Sequence, residues 1–164
     1  MRLFRSIFFC TILITFFLHL EGFSQSVQSE IKNLSEGADI ILTGKVVKQN
    51  SSWNQDRSRI YTDVIVQTDE YLKGEYAEKN ITLTTPGGEV GEIGELYSHM
   101  PRFINDEEVL LFVKKDTKDM KYKVLNGEAG KLTLYRDKNG EIVTSFNKRI
   151  SSLKKEIKNF VEAQ

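Results

Sequence analysis

Apolar positions recur with three different periods along this chain, and each period predicts a different element. From Ile7 to Leu20 they are nearly continuous, with Phe8, Phe9, Ile12, Leu13, Ile14, Phe16, Phe17 and Leu18 in one run. Arg2 and Arg5 precede the run, and Gly22-Phe23-Ser24 puts small residues at the −3 and −1 positions of a cut before Gln25. A basic start, an apolar centre and a small-residue end form the layout of a secretory signal peptide. The run is shorter than the roughly 18–20 residues that cross a bilayer. Residues 1–24 are therefore expected to be removed, leaving 25–164 as one domain with no stable membrane anchor, in the periplasm or outside the cell.

Beyond the cut, Val27, Ile31 and Leu34 step by four and three, one face of a short helix that Gly37 ends. The period then changes to two. Residues 39–47 are apolar and β-branched, with Gly44 marking a bulge or bend. Asn50 to Arg59 is polar and reads as a hairpin loop holding Trp53. Ile60, Thr62, Val64 and Val66 alternate with Tyr61, Asp63, Ile65 and Gln67, the pattern of a half-buried antiparallel strand that runs on to Leu72 and stops at Lys73-Gly74. Residues 80–85 form a third strand. Residues 108–114 form a fourth, whose run Val109 to Val113 is apolar on both faces and predicts the most buried strand. Shorter strands follow at 122–125, 131–135 and 141–144, the last two joined at Asp137-Lys-Asn-Gly140, where Asn-Gly suits a two-residue type I′ turn. Phe146, Ile150, Leu153, Ile157 and Phe160 then return to helical spacing, an amphipathic helix with Lys148, Lys154, Lys155 and Lys158 on its polar side.

Five to seven short antiparallel strands between two terminal helices predict a mainly β fold: a small, partly open antiparallel barrel of the OB type, with a short N-terminal helix and a C-terminal amphipathic helix. A β-sandwich is the alternative.

Composition narrows the chemistry. With 40% hydrophobic and 28% charged residues, the chain has the make-up of an ordinary globular domain. Losing Arg2, Arg5 and Glu21 from 23 basic and 23 acidic residues leaves a mature net charge of −1, which speaks against a nucleic-acid partner. The signal also carries off Cys10, the only cysteine, and His19, one of two histidines. A single remaining His99 cannot build a multi-histidine zinc site, so no metal or other cofactor is expected. No cysteine nucleophile is left, no G-x-S-x-G elbow is present, and Gly87-Gly88 and Gly91 lack the Lys-Ser/Thr of a phosphate loop.

One segment exceeds what a barrel connection needs. Pro86 and Pro101, the only prolines, bracket Gly87, Gly88, Glu89, Gly91, Glu92, Gly94, Glu95, Tyr97, His99 and Met100, with Arg102 and Phe103 just beyond. Connections this long are usually functional or disordered. Its glycines permit close approach to a ligand, and glutamates spaced by three offer oxygen ligands to a hard cation. The candidate binding residues are thus Gly87, Gly88, Glu89, Gly91, Glu92, Glu95, His99, Arg102 and Phe103. The competing expectation is a packed lid with Val90, Ile93 and Leu96 turned inward. Trp53 is a second candidate, as a packing plug or as a stacking platform.

The segments Ala38 to Val47, Ile60-Tyr-Thr-Asp-Val64, Tyr71-Leu-Lys-Gly74, Thr85 to Gly91, Pro101-Arg-Phe103 and Glu107 to Phe112 resemble a widespread bacterial secreted domain, mostly of unassigned function. That domain is in turn similar to the netrin and tissue-inhibitor-of-metalloproteinase module, an OB-type barrel. The resemblance implies a secreted OB-type barrel. Tissue inhibitors chelate the protease zinc with an amino-terminal cysteine, and a mature chain starting at Gln25 has none. Because the catalytic constellations are absent, the expected function is a non-catalytic binding module that modulates or inhibits an extracytoplasmic enzyme or partner protein. The alternatives are a small hydrolase using carboxylates or His99, and a structural accessory of the cell envelope.

The export reading has a direct check. Amino-terminal sequencing of the product from its own host should begin at or next to Gln25, and an intact Met1 on a membrane-bound product would overturn it.

Overall fold

The computed structural model describes residues 21–163, so most of the expected signal segment lies outside the described residues. The chain divides into two units, 1–33 and 34–164. Among the described residues the first unit contributes the opening turns of helix α1 (Glu21–Gly37), the helix expected from Val27, Ile31 and Leu34. The second unit carries everything else.

Nine strands follow: β1 (Ile40–Trp53), β2 (Ile60–Lys73), β3 (Asn80–Pro86), β4 (Gly88–Val90), β5 (Ile93–Glu95), β6 (Glu108–Lys115), β7 (Tyr122–Val124), β8 (Lys131–Arg136) and β9 (Ile142–Thr144), before helix α2 (Ile150–Glu162). Five of them close on one another in the order β1-β2-β3-β7-β6 and back to β1. All these pairings are antiparallel except β3 with β7, a parallel bridge at Leu83 and Tyr122. This is a small OB-type barrel, mainly β with a helix at each end. It is closed where the sequence suggests a partly open one, although the β3–β7 seam holds by a single residue pair.

Closure requires β1 to serve two neighbours. Its first residues pair with β6 and its whole length with β2. The strand coils from one to the other through three register shifts, one of them between Thr43 and Gly44. The bend expected at Gly44 is present, and its cause is close approach: a Cβ there would sit 2.4 Å from the Gln67 carbonyl oxygen.

Inward residues alternate as a half-buried strand demands. Ile40, Leu42 and Val46 of β1, Val64 and Val66 of β2, Ile81 and Leu83 of β3, and Val109, Leu111 and Val113 of β6 form the barrel core. Leu110 and Phe112 point the other way and are equally closed to solvent. The outer face of β6 is therefore covered too, and the strand is the most buried one, as its apolar run predicts. Helix α2 lies against β2 and β9. It buries Leu153 and Ile157, and Lys154 and Lys158 reach the Glu70 carboxylate at 2.7 and 3.2 Å.

Three local expectations need correction. Strand β1 extends to Trp53, so the hairpin loop is 54–59 rather than 50–59. Its shape is set by the Asn54 side-chain oxygen, which accepts the Ser58 and Arg59 N–H groups. The turn after β8 is not a two-residue type I′ turn. Gly140 donates to the Asp137 carbonyl with φ 80°, while the Asp137 carboxylate accepts the Asn139 and Glu141 N–H groups. The aspartate stabilises a longer turn in which the glycine alone takes positive φ. Helix α2 starts at Ile150 and leaves Phe146 in the preceding turn, because Asn147 at φ 61° interrupts the helical path.

Two measurements check this packing. Phe112→Ala should cost about 3–5 kcal/mol in urea unfolding, as for a fully buried ring, and a loss well under 1 kcal/mol would mean the outer face of β6 is not covered. The second concerns acid. Its hydrogen bond to Lys154 holds the Glu70 carboxyl below its ordinary value of 4.5. A depressed carboxyl stabilises the fold above its unfolded value and loses that contribution as pH falls through the folded one. Glu70→Gln should therefore lower the melting temperature at pH 7 and make its decline below pH 4.5 shallower than in the wild type.

Candidate functional site

Residues 86–107, which connect β3 to β6, build one end of the barrel. Gly87 and Gly88 turn the chain off β3 with φ of 94° and 132°. Gly88 also passes directly over β1 and β2, where a Cβ would lie 2.3 Å from the Thr62 hydroxyl and 2.5 Å from that of Ser51. Only glycine meets both demands. The chain then forms the β4–β5 hairpin, with Gly91 and Glu92 at its tip and Gly91 supplying the positive φ.

The three glutamates of this segment do not converge. Glu89 and Glu92 are exposed, whereas Glu95 folds back onto the barrel. Its carboxylate accepts the Ile60 N–H at 3.0 Å and the Tyr97 hydroxyl at 3.1 Å. The Arg59 guanidinium lies 5.9 Å from the Tyr97 ring centroid. Glu95 is thus an anchor for the hairpin. Among the described residues, no three His, Cys, Asp or Glu side chains come together in a group that could hold a metal.

A packed lid is not what the structure shows either. Val90 is half-buried, but Ile93 is 54% and Leu96 74% exposed. Met100 and Ile104, at 37% and 69%, extend this run of outward apolar side chains along 93–104.

The run is held in place by a cluster that sequence reasoning missed. Lys131 on β8 and Glu107 are only 10% and 9% exposed, and their charged groups lie 2.8 Å apart. Lys131 Nζ also donates to the Arg102 carbonyl at 2.5 Å and sits 5.0 Å from the Phe103 ring centroid. Glu107 in turn accepts the Ile104 N–H at 2.8 Å. One ion pair therefore fixes the backbone on both sides of Phe103. The Phe103 ring packs against the barrel core. Phe103 is a structural contact rather than an open binding residue, while the Arg102 side chain remains exposed.

His99 is exposed, with φ 61°, and its carbonyl accepts the Glu128 N–H at 2.9 Å. Two clefts flank the ridge of residues 96–102. One, about 800 Å³, is lined by Ser98, His99, Arg102, Glu128, Thr133 and Ser145 among others. The other, about 710 Å³, lies at the barrel mouth under the hairpin, over Gln49, Ser51, Thr62 and Thr85. Of the expected residues, Gly87, Gly88, Glu89, Glu95, Arg102 and Phe103 line the second cleft, and His99 and Arg102 the first. Gly91, Glu92 and Trp53 line neither. Trp53 is half-buried at the end of β1, paired with Ile60.

Glu107→Gln leaves Lys131 buried without its counter-charge. It should cost about 3–5 kcal/mol in urea unfolding, and Lys131→Met combined with Glu107→Leu should cost less than the two single changes added. Additive losses would show that the pair does not act as a unit.

Compared with protein-family models and with curated proteins, the chain matches none.

Proposed function

We propose that this protein is a secreted, non-catalytic binding module that captures a protein partner with the barrel end formed by the β4–β5 hairpin and residues 96–104. The observation that carries the reading is the distribution of exposed apolar side chains. Four of the large ones among the described residues, Ile93, Leu96, Met100 and Ile104, fall within this short stretch. Single exposed apolar residues need no explanation, but a run of them on one segment marks an interaction surface. The stretch is also pinned by Glu95 at one end and by Lys131 and Glu107 at the other. A pinned surface loses little conformational entropy on binding. The apolar run before Gln25 supports delivery outside the cytoplasm.

A small hydrolase is the second reading. It rests on one cleft holding His99 together with Ser98, Ser145 and Glu128.

Both readings meet the same experiment. The tagged protein is used to capture partners from an envelope fraction of its host, beside the double variant Ile93→Asp and Ile104→Asp. Both positions are exposed, so the melting temperature should move by no more than the small amount typical of surface changes. Capture should fall at least about tenfold, the equivalent of roughly 1.4 kcal/mol. Capture that survives this variant but fails in Trp53→Ala moves the surface to the β1–β2 hairpin. Hydrolysis of ester or peptide substrates that disappears in His99→Ala would replace the binding reading with the enzymatic one.

A further inference from the structure

Inward residues of the barrel change character at the mouth. On β3 the series Ile81, Leu83 continues as Thr85. On β2, Val66 and Val64 continue as Thr62, and on β1 Val46 gives way to Gln49 and Ser51. Strand register sets three of these side by side, Ser51 opposite Thr62 and Thr62 opposite Thr85. The result is a row of hydroxyl-bearing residues across three strands, in the lining of the cleft of about 710 Å³.

Two members of the row are spoken for. Thr62 Oγ1 donates to the Gly87 carbonyl at 2.7 Å. Its proton is thereby used, so Ser51 is the donor in the 2.9 Å contact between the two hydroxyls. The third is not. Thr85 Oγ1 is buried and, among the described residues, has no hydrogen-bond partner. A valine of the same shape would avoid that penalty. An unpaired hydroxyl beside a cleft points to a group that meets it when the cleft is filled.

The lining says what kind of group. The floor is neutral: Ser51 and Thr62 have spent their protons, and Thr85 alone can still both donate and accept, which suits one amide and would not repay the desolvation of a full charge. The walls are Pro86, Leu96, Met100 and Pro101 with the rings of Tyr97 and Phe103; Glu95, whose carboxylate is held by Ile60 and Tyr97, and the exposed Glu89 and Arg102, of opposite charge, line the cleft as well. Each ring already carries a cation near one face, Arg59 at 5.9 Å and Lys131 at 5.0 Å from the centroids. One face of each ring is thereby occupied, and the aliphatic walls are left for a hydrocarbon side chain. We infer that the barrel mouth is a peptide-binding cleft, which takes an extended, uncharged segment with an apolar side chain and hydrogen-bonds one of its peptide groups to Thr85. Thr85 Oγ1 is closed to solvent, so this bond requires a change of Thr85 rotamer that turns the hydroxyl toward the occupant. This inference rests on the partner-capture reading for its biological source of peptide, but the cleft and the apolar ridge are tested separately.

The test is a titration of the ¹⁵N-labelled protein with the blocked tripeptide acetyl-Ala-Leu-Ala-amide, and in parallel with chitotriose as a neutral saccharide. The expected result is saturable shifts at the Thr62, Thr85, Gly87 and Gly88 amides with the tripeptide and none with the saccharide. Thr85→Val should weaken the tripeptide about fivefold, as loss of one hydrogen bond does. The same variant should raise the melting temperature of the free protein by roughly 3–6 °C, because the orphaned hydroxyl is gone. Absence of saturable tripeptide shifts, unchanged affinity in Thr85→Val, a lowered melting temperature, or shifts with the saccharide alone would each overturn the inference. Ile93→Asp and Ile104→Asp line no part of this cleft and should leave tripeptide binding intact. Loss of partner capture in that variant with tripeptide binding retained separates the two sites.

Discussion

Burial of β6 on both faces is the constraint from which the rest of the molecule follows. One edge of the strand serves β1, and that pairing closes the barrel. The other edge is divided: Glu108 to Leu111 pair with β8 and Val113 to Lys115 with β7. Two consecutive strands can share one edge only if the chain between them steps aside. It does so through Asn126 at φ 53° and the 3₁₀ turn of Gly127–Gly130, while Leu125 still donates to the Phe112 carbonyl. The bypass is tight, since a Cβ on Gly130 would lie 2.0 Å from the Leu125 carbonyl oxygen. The same turn holds the 86–107 connection, because Glu128 within it donates to the His99 carbonyl. The position of the ridge is therefore a consequence of how β6 distributes its hydrogen bonds.

The barrel mouth shows a second division of labour. Deep in the barrel the inward positions are Val, Leu and Ile, whose burial supplies the driving force of folding. At the mouth they become Ser, Thr and Gln, which add little to that force and instead hold the crossing backbone. Thr62 bonds the Gly87 carbonyl and Gln49 bonds the Phe103 carbonyl. Each bond ties an end of the 86–107 connection to a barrel strand. Stability is concentrated below the mouth and positioning is concentrated at it.

Much of this architecture was legible in the amino-acid sequence, for identifiable reasons. Period-two alternation in Ile60 to Val66 and the doubly apolar run Val109 to Val113 reflect burial that neighbouring residues alone determine, and both strands lie where expected. The helical stripe around Leu153 and Ile157 was equally plain. The turn at Asp137 to Gly140 was not, because the Asp137 carboxylate competes with the local preference of Asn-Gly. The site was legible only as a segment. Prolines and glycines marked 86–103 as unusual, but Glu95 and Phe103 look in sequence like binding residues and fold as anchors. Their partners, Ile60, Tyr97 and Lys131, are distant in sequence or ordinary in type. The inward hydroxyl row had a visible fragment in Thr62 on the apolar face of its strand, but Ser51 and Thr85 join it through strand register, which no single segment encodes.

The Lys131–Glu107 pair shows why anchoring here takes a polar form. Two well-packed apolar side chains could fill that volume at no loss of stability, since desolvating a lysine and a glutamate offsets most of their attraction. An apolar pair could not, however, donate to the Arg102 carbonyl or accept the Ile104 N–H. Those two backbone groups flank Phe103, whose ring is fixed against the core. With the ring and both flanking peptides held, the directions of the Arg102 and Ile104 side chains are set, and both point to solvent. The pair therefore contributes orientation where hydrophobic packing would contribute only cohesion. Without such a device the hydrophobic effect would favour folding Ile104 back onto the barrel.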